Sequence, residues 1–370
     1  MIRVLYDYQI FASQSYGGIS RYCHELCKQV DRTDGFSACI DAPLHINAYL
    51  AADPRHGTGL YVPLHSTSGM IASLQKMAVF LGDALTSFLL PGNADIVHET
   101  FYYGRFSGHA KGAARVVTVH DMIHERFPES FPSSDQTARR KREAVARADH
   151  VICNSYRTQA DVLDMLQVPP SKVSTVHLGF SFPRGEDGSN SPVSFPYIFF
   201  VGNRSGYKNF ASLVDAIGAT PRLRDNFGLV CFGGGRFTAS EVELMKRSGL
   251  DSTRIEHAVG DDRSLARYYR YAEVFVYPSL YEGFGIPPLE AMLNDCPVVC
   301  GDVASLPEVV GESAELCLPQ ESASIAAALE KLLFDTQRRD FMVQAGRERV
   351  KLFSWEKCAQ ETVKVYQGLV

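Results

Sequence analysis

The chain has 370 residues, with 37 Lys or Arg against 42 Asp or Glu and a formal charge of −5. Apolar residues make up 45% and charged residues 21%, which excludes a largely disordered chain, a collagen-like chain and a disulfide miniprotein. The slightly acidic total argues against nucleic acid as the partner, and the length suits about two domains of roughly 100–200 residues each.

Met1–Tyr8 reads as a strand, not as a charged leader with an apolar core. Strands are predicted at Ile2–Tyr6, Ala38–Asp41, Ala94–His98, Arg115–His120, His150–Asn154 and Val173–His177. Several are apolar at consecutive positions, which suits a parallel sheet buried on both faces. Between them, Gly69–Pro91 reads as an amphipathic or buried helix; Lys76 and Asp83 interrupt it too early for a membrane span. Gln136–Ala148 and Arg157–Leu166 predict further helices. The stretch Ser181–Pro196 is rich in Pro, Gly and Ser and marks a domain boundary. After it the pattern restarts, with strands at Tyr197–Val201, Gly228–Phe232, Ile255–Val259, Val274–Tyr277, Pro297–Cys300 and Glu315–Leu318. Helices alternate with them at Phe210–Ile217, Ser240–Ser248, Asp262–Tyr271, Pro288–Leu293 and Ser322–Phe334. This alternation predicts two α/β domains with parallel sheets, and a cleft at the carboxyl ends of their strands. The 9 Cys residues lack CxxC spacing; Cys23/Cys27 and Cys296/Cys300 are four apart. They read as reduced, packed thiols of a cytoplasmic protein.

The strongest chemical signal is Glu282–Glu290, EGFGIPPLE, which follows the strand AEVFVYPS. Gly283 and Gly285 allow close backbone approach. Pro287 and Pro288 fit a first helical turn, where a missing N–H costs little. The turn therefore aims a helix N-terminus at one point, as a phosphate site requires. Glu282 and Glu290 suit hydroxyl groups instead; the structural alternative is a turn with a capping Glu. In VGNRSGYKNF, Arg204 and Lys208 follow a strand end and suit a diphosphate, with Asn203, Ser205 and Gly206 making the turn. The alternative is an ordinary surface pair. SYGGISRY places Gly17 and Gly18 before a helix, an anion site or a plain turn. His120 ends the strand RVVTV, either facing a ligand or satisfied in the core. The His120/His124 spacing imitates a metal pair, but no third ligand group lies nearby, so no metal is expected. FGGGR, with Gly233 and Gly234, gives a loop that either admits a base or ribose or touches no ligand. Arg139–Arg142 (RRKR) with Arg147 reads as a solvated helix face, or as contact with an anionic membrane surface or lipid phosphate.

Taken together these segments resemble the retaining GT-B glycosyltransferases of family four, over essentially the whole chain. EGFGIPPLE matches the family's E-x7-E motif. VGNRSGYKNF matches its Arg…Lys element, YGGISRY its N-terminal glycine loop, and TVHD its histidine. SWEKCAQETVKVY matches the terminal helix that crosses back onto the first domain. The resemblance is to mannosyl- and deoxymannosyl-transferases of bacterial surface polysaccharides in particular.

That resemblance implies two Rossmann-like domains whose parallel sheets face a central cleft. The expected division is an acceptor-side domain over 1–182, a linker over 183–196, a nucleotide-sugar domain over 197–352 and a returning helix over 353–370. It implies that Glu290 binds the ribose and Glu282 the donor-sugar hydroxyls. Backbone N–H groups of Phe284, Gly285 and Ile286 would hold the donor. Arg204 and Lys208 would neutralise the leaving diphosphate, and His120 would contact the sugar. Asn203, Gly233 and Gly234 join the donor set, and Gly17 and Gly18 let the first domain close on the phosphates. The implied donor is a nucleotide sugar, best a GDP-linked mannose or rhamnose, with no cofactor and no metal. The implied acceptor is a glycan or lipid-linked glycan in polysaccharide or O-antigen synthesis, with peripheral contact at the inner face of the membrane. A UDP-sugar donor, a nucleotide-sugar 2-epimerase and a phosphorylase on the same scaffold, or a non-catalytic binding module, are the competing readings.

Overall fold

The computed structural model describes all residues except 54, 58, 64–72, 75, 83–92, 104–111 and 187–189. Most of the helix expected at Gly69–Pro91 lies outside the described residues; 73–74 and 76–82 of it are helical.

Two parallel six-stranded sheets organise the chain. Strands of the first are β1 (Ile2–Asp7), β2 (Phe36–Asp41), β5 (Ile96–Glu99), β6 (Ala114–Val119), β7 (His150–Cys153) and β8 (Val173–Thr175); β3 (Leu44–His45) and β4 (Leu60–Tyr61) form a small separate pair. The order is β2-β1-β5-β6-β7-β8, and β1 runs in register with β2 from Ile2↔Phe36 to Asp7↔Asp41. Runs of consecutive buried residues enclose the central strands β1, β5, β6 and β7 on both faces, while the edge strand β2 alternates. Val116, Val117 and Val119 of β6 are all fully enclosed.

The second sheet contains β9 (Tyr197–Val201), β10 (Gly228–Phe232), β11 (Ile255–Ala258), β12 (Val274–Tyr277), β13 (Val298–Gly301) and β14 (Glu315–Cys317), ordered β11-β10-β9-β12-β13-β14. Counting its strands one to six along the chain, this is the 3-2-1-4-5-6 order of a doubly wound dinucleotide-type sheet. The order reverses between β9 and β12. The helices Phe210–Ala219 and Ser322–Phe334 pack on each other, and their Phe210, Leu213, Ile217, Ile325 and Leu329 join one buried core cluster with residues of this sheet.

The chain divides into two compact units. One holds Met1–Arg126, Phe131–Gly179 and Ser354–Val370; the other holds Phe127–Ser130 and Phe180–Phe353. The division thus falls at Gly179, three residues before the expected end at 182, and much of the expected linker is packed into the second unit. There the Gly185 N–H donates to Asn294 Oδ1 at 2.7 Å.

The C-terminal helix Trp355–Gln367 belongs to the first unit and packs on the helix Gly18–Asp31. A buried polar chain fixes it. His98 pairs through Nδ1 with Tyr366 Oη at 2.6 Å and through Nε2 with Thr118 Oγ1 at 2.8 Å. Tyr6 and Tyr22 extend the chain at 3.0 Å each, to Tyr366 and Thr118. Gly179 lets the helix start close by: a Cβ there would lie 2.4 Å from the Trp355 ring.

Candidate active site

In a doubly wound sheet the loops leaving the strands on either side of the order reversal splay apart and leave a crevice. In the second unit those are the loops after β9 and β12. They carry Arg204 and Lys208 on one side and Glu282 on the other, so topology alone brings the two strongest motifs together. Lys208 Nζ donates to Glu282 Oε1 at 2.7 Å and to Tyr277 Oη at 2.9 Å. The ammonium also lies over the Tyr277 ring, 4.9 Å from its centroid. Glu282 is nearly buried, so the pair holds a fixed geometry rather than a solvated one.

Two polar side chains build the loops around that pair. Asn209 adopts a left-handed conformation (φ 57°) directly after Lys208. Its amide donates to the Pro278 carbonyl at 3.1 Å and to the Pro319 carbonyl, tying the β9 loop to the β12 loop. The fully buried Ser305 hydroxyl bonds to the carbonyls of Glu282 (2.8 Å) and Phe284 (2.9 Å). It thereby holds the turn from which the next helix starts.

That helix is Ile286–Leu293, and Gly285 caps it at φ 97°. A side chain there would be strained and would meet Leu306 at 2.6 Å. Pro287 and Pro288 bring no N–H, so of the donors a helix start leaves unbonded only the amides of Gly285 and Ile286 remain. Phe284 and Gly285 are buried, and Ile286 half-buried. Glu290, one turn in, accepts from Tyr269 Oη at 3.1 Å. The two carboxylates of the motif thus have different partners: a cation for Glu282, a phenol for Glu290.

Arg204 is placed differently from Lys208. Its side chain is 2% exposed. Nε donates to Glu241 Oε1 at 2.9 Å, Nη1 to the Gly233 carbonyl at 3.1 Å, and Nη2 to the Gly235 and Arg236 carbonyls at 2.8 and 3.1 Å. The guanidinium clamps the loop after β10. Gly233, Gly234 and Gly235 of that loop all have positive φ, and a Cβ on Gly234 would strike the Gly202 carbonyl at 2.4 Å. Asn203 is exposed beside this contact. The structure therefore groups Arg204, Gly233 and Gly234 in one assembly, and Lys208, Glu282, Phe284, Gly285 and Ile286 in another.

In the first unit, Gly17 lies in extended backbone and Gly18 opens the helix Gly18–Asp31. The Ser20 N–H of that first turn already donates to Gln14 Oε1 at 3.1 Å. Gln14 fills the space where a Cβ on Gly17 would be, at 2.4 Å, whereas Gly18 faces open space. His120 follows β6, edge-on to Tyr22 with ring centroids 5.0 Å apart. Burial pulls its pKa down to about 4; the Lys141 charge acts in the same direction and Asp121 opposes it. The ring is therefore neutral near pH 7. His124 stacks on Phe131 at 3.9 Å; among the described residues no group of three metal-ligating side chains occurs.

The basic run Arg139–Arg142 is not a uniform solvated face. Lys141 is 1% exposed, and its ammonium donates to the Asp121 carbonyl and to Glu125 Oε2, both at 2.8 Å. It pins the segment that carries His120. Ser305, Asn209, Lys141 and Gln14 were not legible as site-building residues. Of these only Asn209 leaves a sequence trace, as a turn-type residue at a strand–helix junction.

The comparisons with known proteins agree with this architecture. Residues 184–349 match the model described as Glycosyl transferases group 1, and residues 16–182 match Glycosyltransferase Family 4. The O-antigen chain mannosyltransferase B of Escherichia coli is 30% identical over 69% of this chain and 70% of its own length. This chain belongs to the group 1 glycosyltransferases. The alpha-maltose-1-phosphate synthase of Mycolicibacterium smegmatis is 26% identical to this glycosyltransferase over 96% of the chain and 97% of its own. The crystal structure of Anabaena Alr3699/HepE with UDP and glucose superposes with a TM-score of 0.74, covering 100% of both chains at 17% identity. The fold of this glycosyltransferase is GT-B: α/β, with two parallel-sheet domains.

Proposed function

We propose that this glycosyltransferase moves a hexose or deoxyhexose, mannose or rhamnose from a GDP-sugar, onto a glycan or lipid-linked glycan, with retention and without a divalent metal. The observation that carries this reading is the Lys208–Glu282 pair beside the N-terminus of Ile286–Leu293, at the order reversal of a dinucleotide-type sheet. The likeness to an O-antigen mannosyltransferase supports mannose and a surface-polysaccharide acceptor. Nothing in the comparisons favours the epimerase.

The chemistry follows from charge. The bond between the anomeric carbon and the diphosphate oxygen breaks, and its electron pair leaves with the diphosphate. Lys208 and the helix-end amides stabilise that charge from fixed positions, which is worth more than the same contacts in water. They supply the positive charge that a divalent cation would otherwise supply. As the diphosphate arrives, Lys208 turns from Glu282 toward it, and Glu282 accepts from donor-sugar hydroxyls. Glu290 accepts from the ribose. His120, neutral, hydrogen-bonds the donor sugar. The acceptor oxygen attacks the same face, and its proton passes to the departing phosphate oxygen. Arg204 shapes the glycine loop that meets the base or ribose. Incubating the protein with GDP-mannose, a GDP-deoxyhexose or UDP-glucose and an acceptor glycan tests this. Transfer from a GDP-sugar in EDTA, with the donor's anomeric configuration kept, is expected; transfer from UDP-glucose alone, or an inverted product, overturns the donor or the stereochemistry.

A further inference from the structure

The first unit holds a cavity of about 480 Å³, bounded by the helix Thr137–Arg147 and by helical residues 76–82. Its walls are of two kinds. Lys76, Arg139 and Arg140 bring positive charge, and Met77, Phe80 and Tyr103 bring apolar and aromatic surface. Arg140 lies 4.7 Å from the Tyr103 ring centroid, which holds its guanidinium at the wall.

Not every cation there is available. Arg147 makes a two-pronged pair with the buried Glu99. Glu143 stands 3.6 Å from Arg139. Among the described residues, Lys76, Arg139 and Arg140 set against that one carboxylate leave two positive charges. Such a surplus in a partly apolar pocket calls for an anionic ligand with an apolar part. The outer surface continues the apolar wall. Leu74, Met77 and Leu81, at spacings of three and four, lie on one helix face and are 53%, 54% and 54% exposed.

We infer that this cavity binds the phosphate head of a lipid-linked acceptor, with Lys76, Arg139 and Arg140 on the phosphate and Met77 and Phe80 on the first units of the chain. The apolar face of Leu74, Met77 and Leu81 lets the rest of the chain remain in a bilayer. The inference rests on the acceptor half of the proposed function and gives it a location. It also gives the helix Thr137–Arg147 two tasks. Arg139 and Arg140 face the cavity, while Lys141 holds the Asp121 segment next to His120. Tyr102 joins the two, because it lines the cavity and lies beneath the Lys141 ammonium.

Titration calorimetry with farnesyl diphosphate, inorganic pyrophosphate and farnesol, each as a soluble probe, separates the sources of binding. Farnesyl diphosphate is expected to bind well above either partial probe. Arg139→Ala/Arg140→Ala should weaken it by about tenfold or more, the usual loss for charge-assisted contacts. Met77→Glu should weaken farnesyl diphosphate and spare pyrophosphate, and Arg142→Ala, outside the cavity, should change neither. Equal binding of pyrophosphate and farnesyl diphosphate overturns the inference in favour of a free-anion site. Unchanged affinity in the double variant, or no binding at all, also overturns it. Thermal stabilisation by nucleotide is the parallel readout. A nucleotide shift without farnesyl diphosphate binding removes this cavity and leaves the transferase reading standing; the reverse result removes the transferase reading.

Discussion

Lys208 and Glu282 carry the proposed chemistry, and the two charges are paired at 2.7 Å. Lys208→Ala removes the cation at the diphosphate and leaves a nearly buried carboxylate without its partner. Loss of one preorganised charge-stabilising donor commonly lowers kcat by about 10²–10³-fold, and steady-state kinetics of the variant should show a fall of that order. Glu282→Gln keeps a hydrogen-bonding group but frees Lys208. It should raise the donor KM and lower kcat while the fold persists by circular dichroism. Arg204→Lys separates the two basic residues of the motif. A lysine cannot reach the Glu241 carboxylate and several loop carbonyls together. The variant should therefore disorder the glycine loop and weaken nucleotide binding, while activity at saturating donor falls less than in Lys208→Ala.

At the scale of single elements, the turn before Ile286–Leu293 is held by Ser305, which only coordinates reveal, and by Gly285, which the sequence already marks. Ser305→Ala leaves the buried carbonyls of Glu282 and Phe284 short of a donor, a loss of about 1–3 kcal/mol. Gly285→Ala adds strain at φ 97° and a clash with Leu306. Each should lower the melting temperature measured by calorimetry, and Ser305→Ala should also raise the donor KM. Here the sequence is informative only in part. The E-x7-E motif is visible because several residues with different physical jobs coincide in nine positions. Ser305 is invisible because a serine between apolar residues has no spacing signature. The helix Thr336–Val350 was unpredicted for a similar reason. Its buried residues are Met342, Gly346 and Val350, and a glycine whose missing Cβ would lie 3.0 Å from the Met292 side chain does not register as an apolar stripe. The twelve main strands were legible because short apolar runs, continuous in β9 and β12, alternate with helical stretches, whereas β3 and β4 have two residues each and carry no pattern. RRKR shows the opposite failure: four like residues in a row conceal one lysine that is buried and three arginines that are not.

For the whole molecule, the C-terminal helix and the buried His98 each carry a stability prediction. Removing residues 355–370 leaves His98 and Tyr6 without Tyr366 and uncovers the helix Gly18–Asp31. The shortened chain should lose the cooperative unfolding transition of the first unit. His98 is 1% exposed, and burial, aided by the nearby His120, lowers its pKa to about 3. A histidine whose folded pKa lies below its unfolded value binds its proton more readily in the unfolded chain. Stability should therefore be full above about pH 6.5 and fall steadily as the pH drops toward 3. Denaturant titrations across that range check the sign, and His98→Gln should flatten the acid limb at the cost of a lower plateau.

The central claim is that a nucleoside diphosphate sits at Lys208 and the N-terminus of Ile286–Leu293 without a metal. The most direct test is thermal unfolding of the wild type and Lys208→Ala with GDP, UDP and ADP in EDTA. At 100 times its Kd, a ligand adds about 2.7 kcal/mol. The account predicts that GDP raises the wild-type melting temperature by several degrees, that EDTA leaves this intact, and that Lys208→Ala largely abolishes it. A nucleotide shift that vanishes in EDTA or survives intact in Lys208→Ala, or no shift with GDP, UDP or ADP, would contradict it.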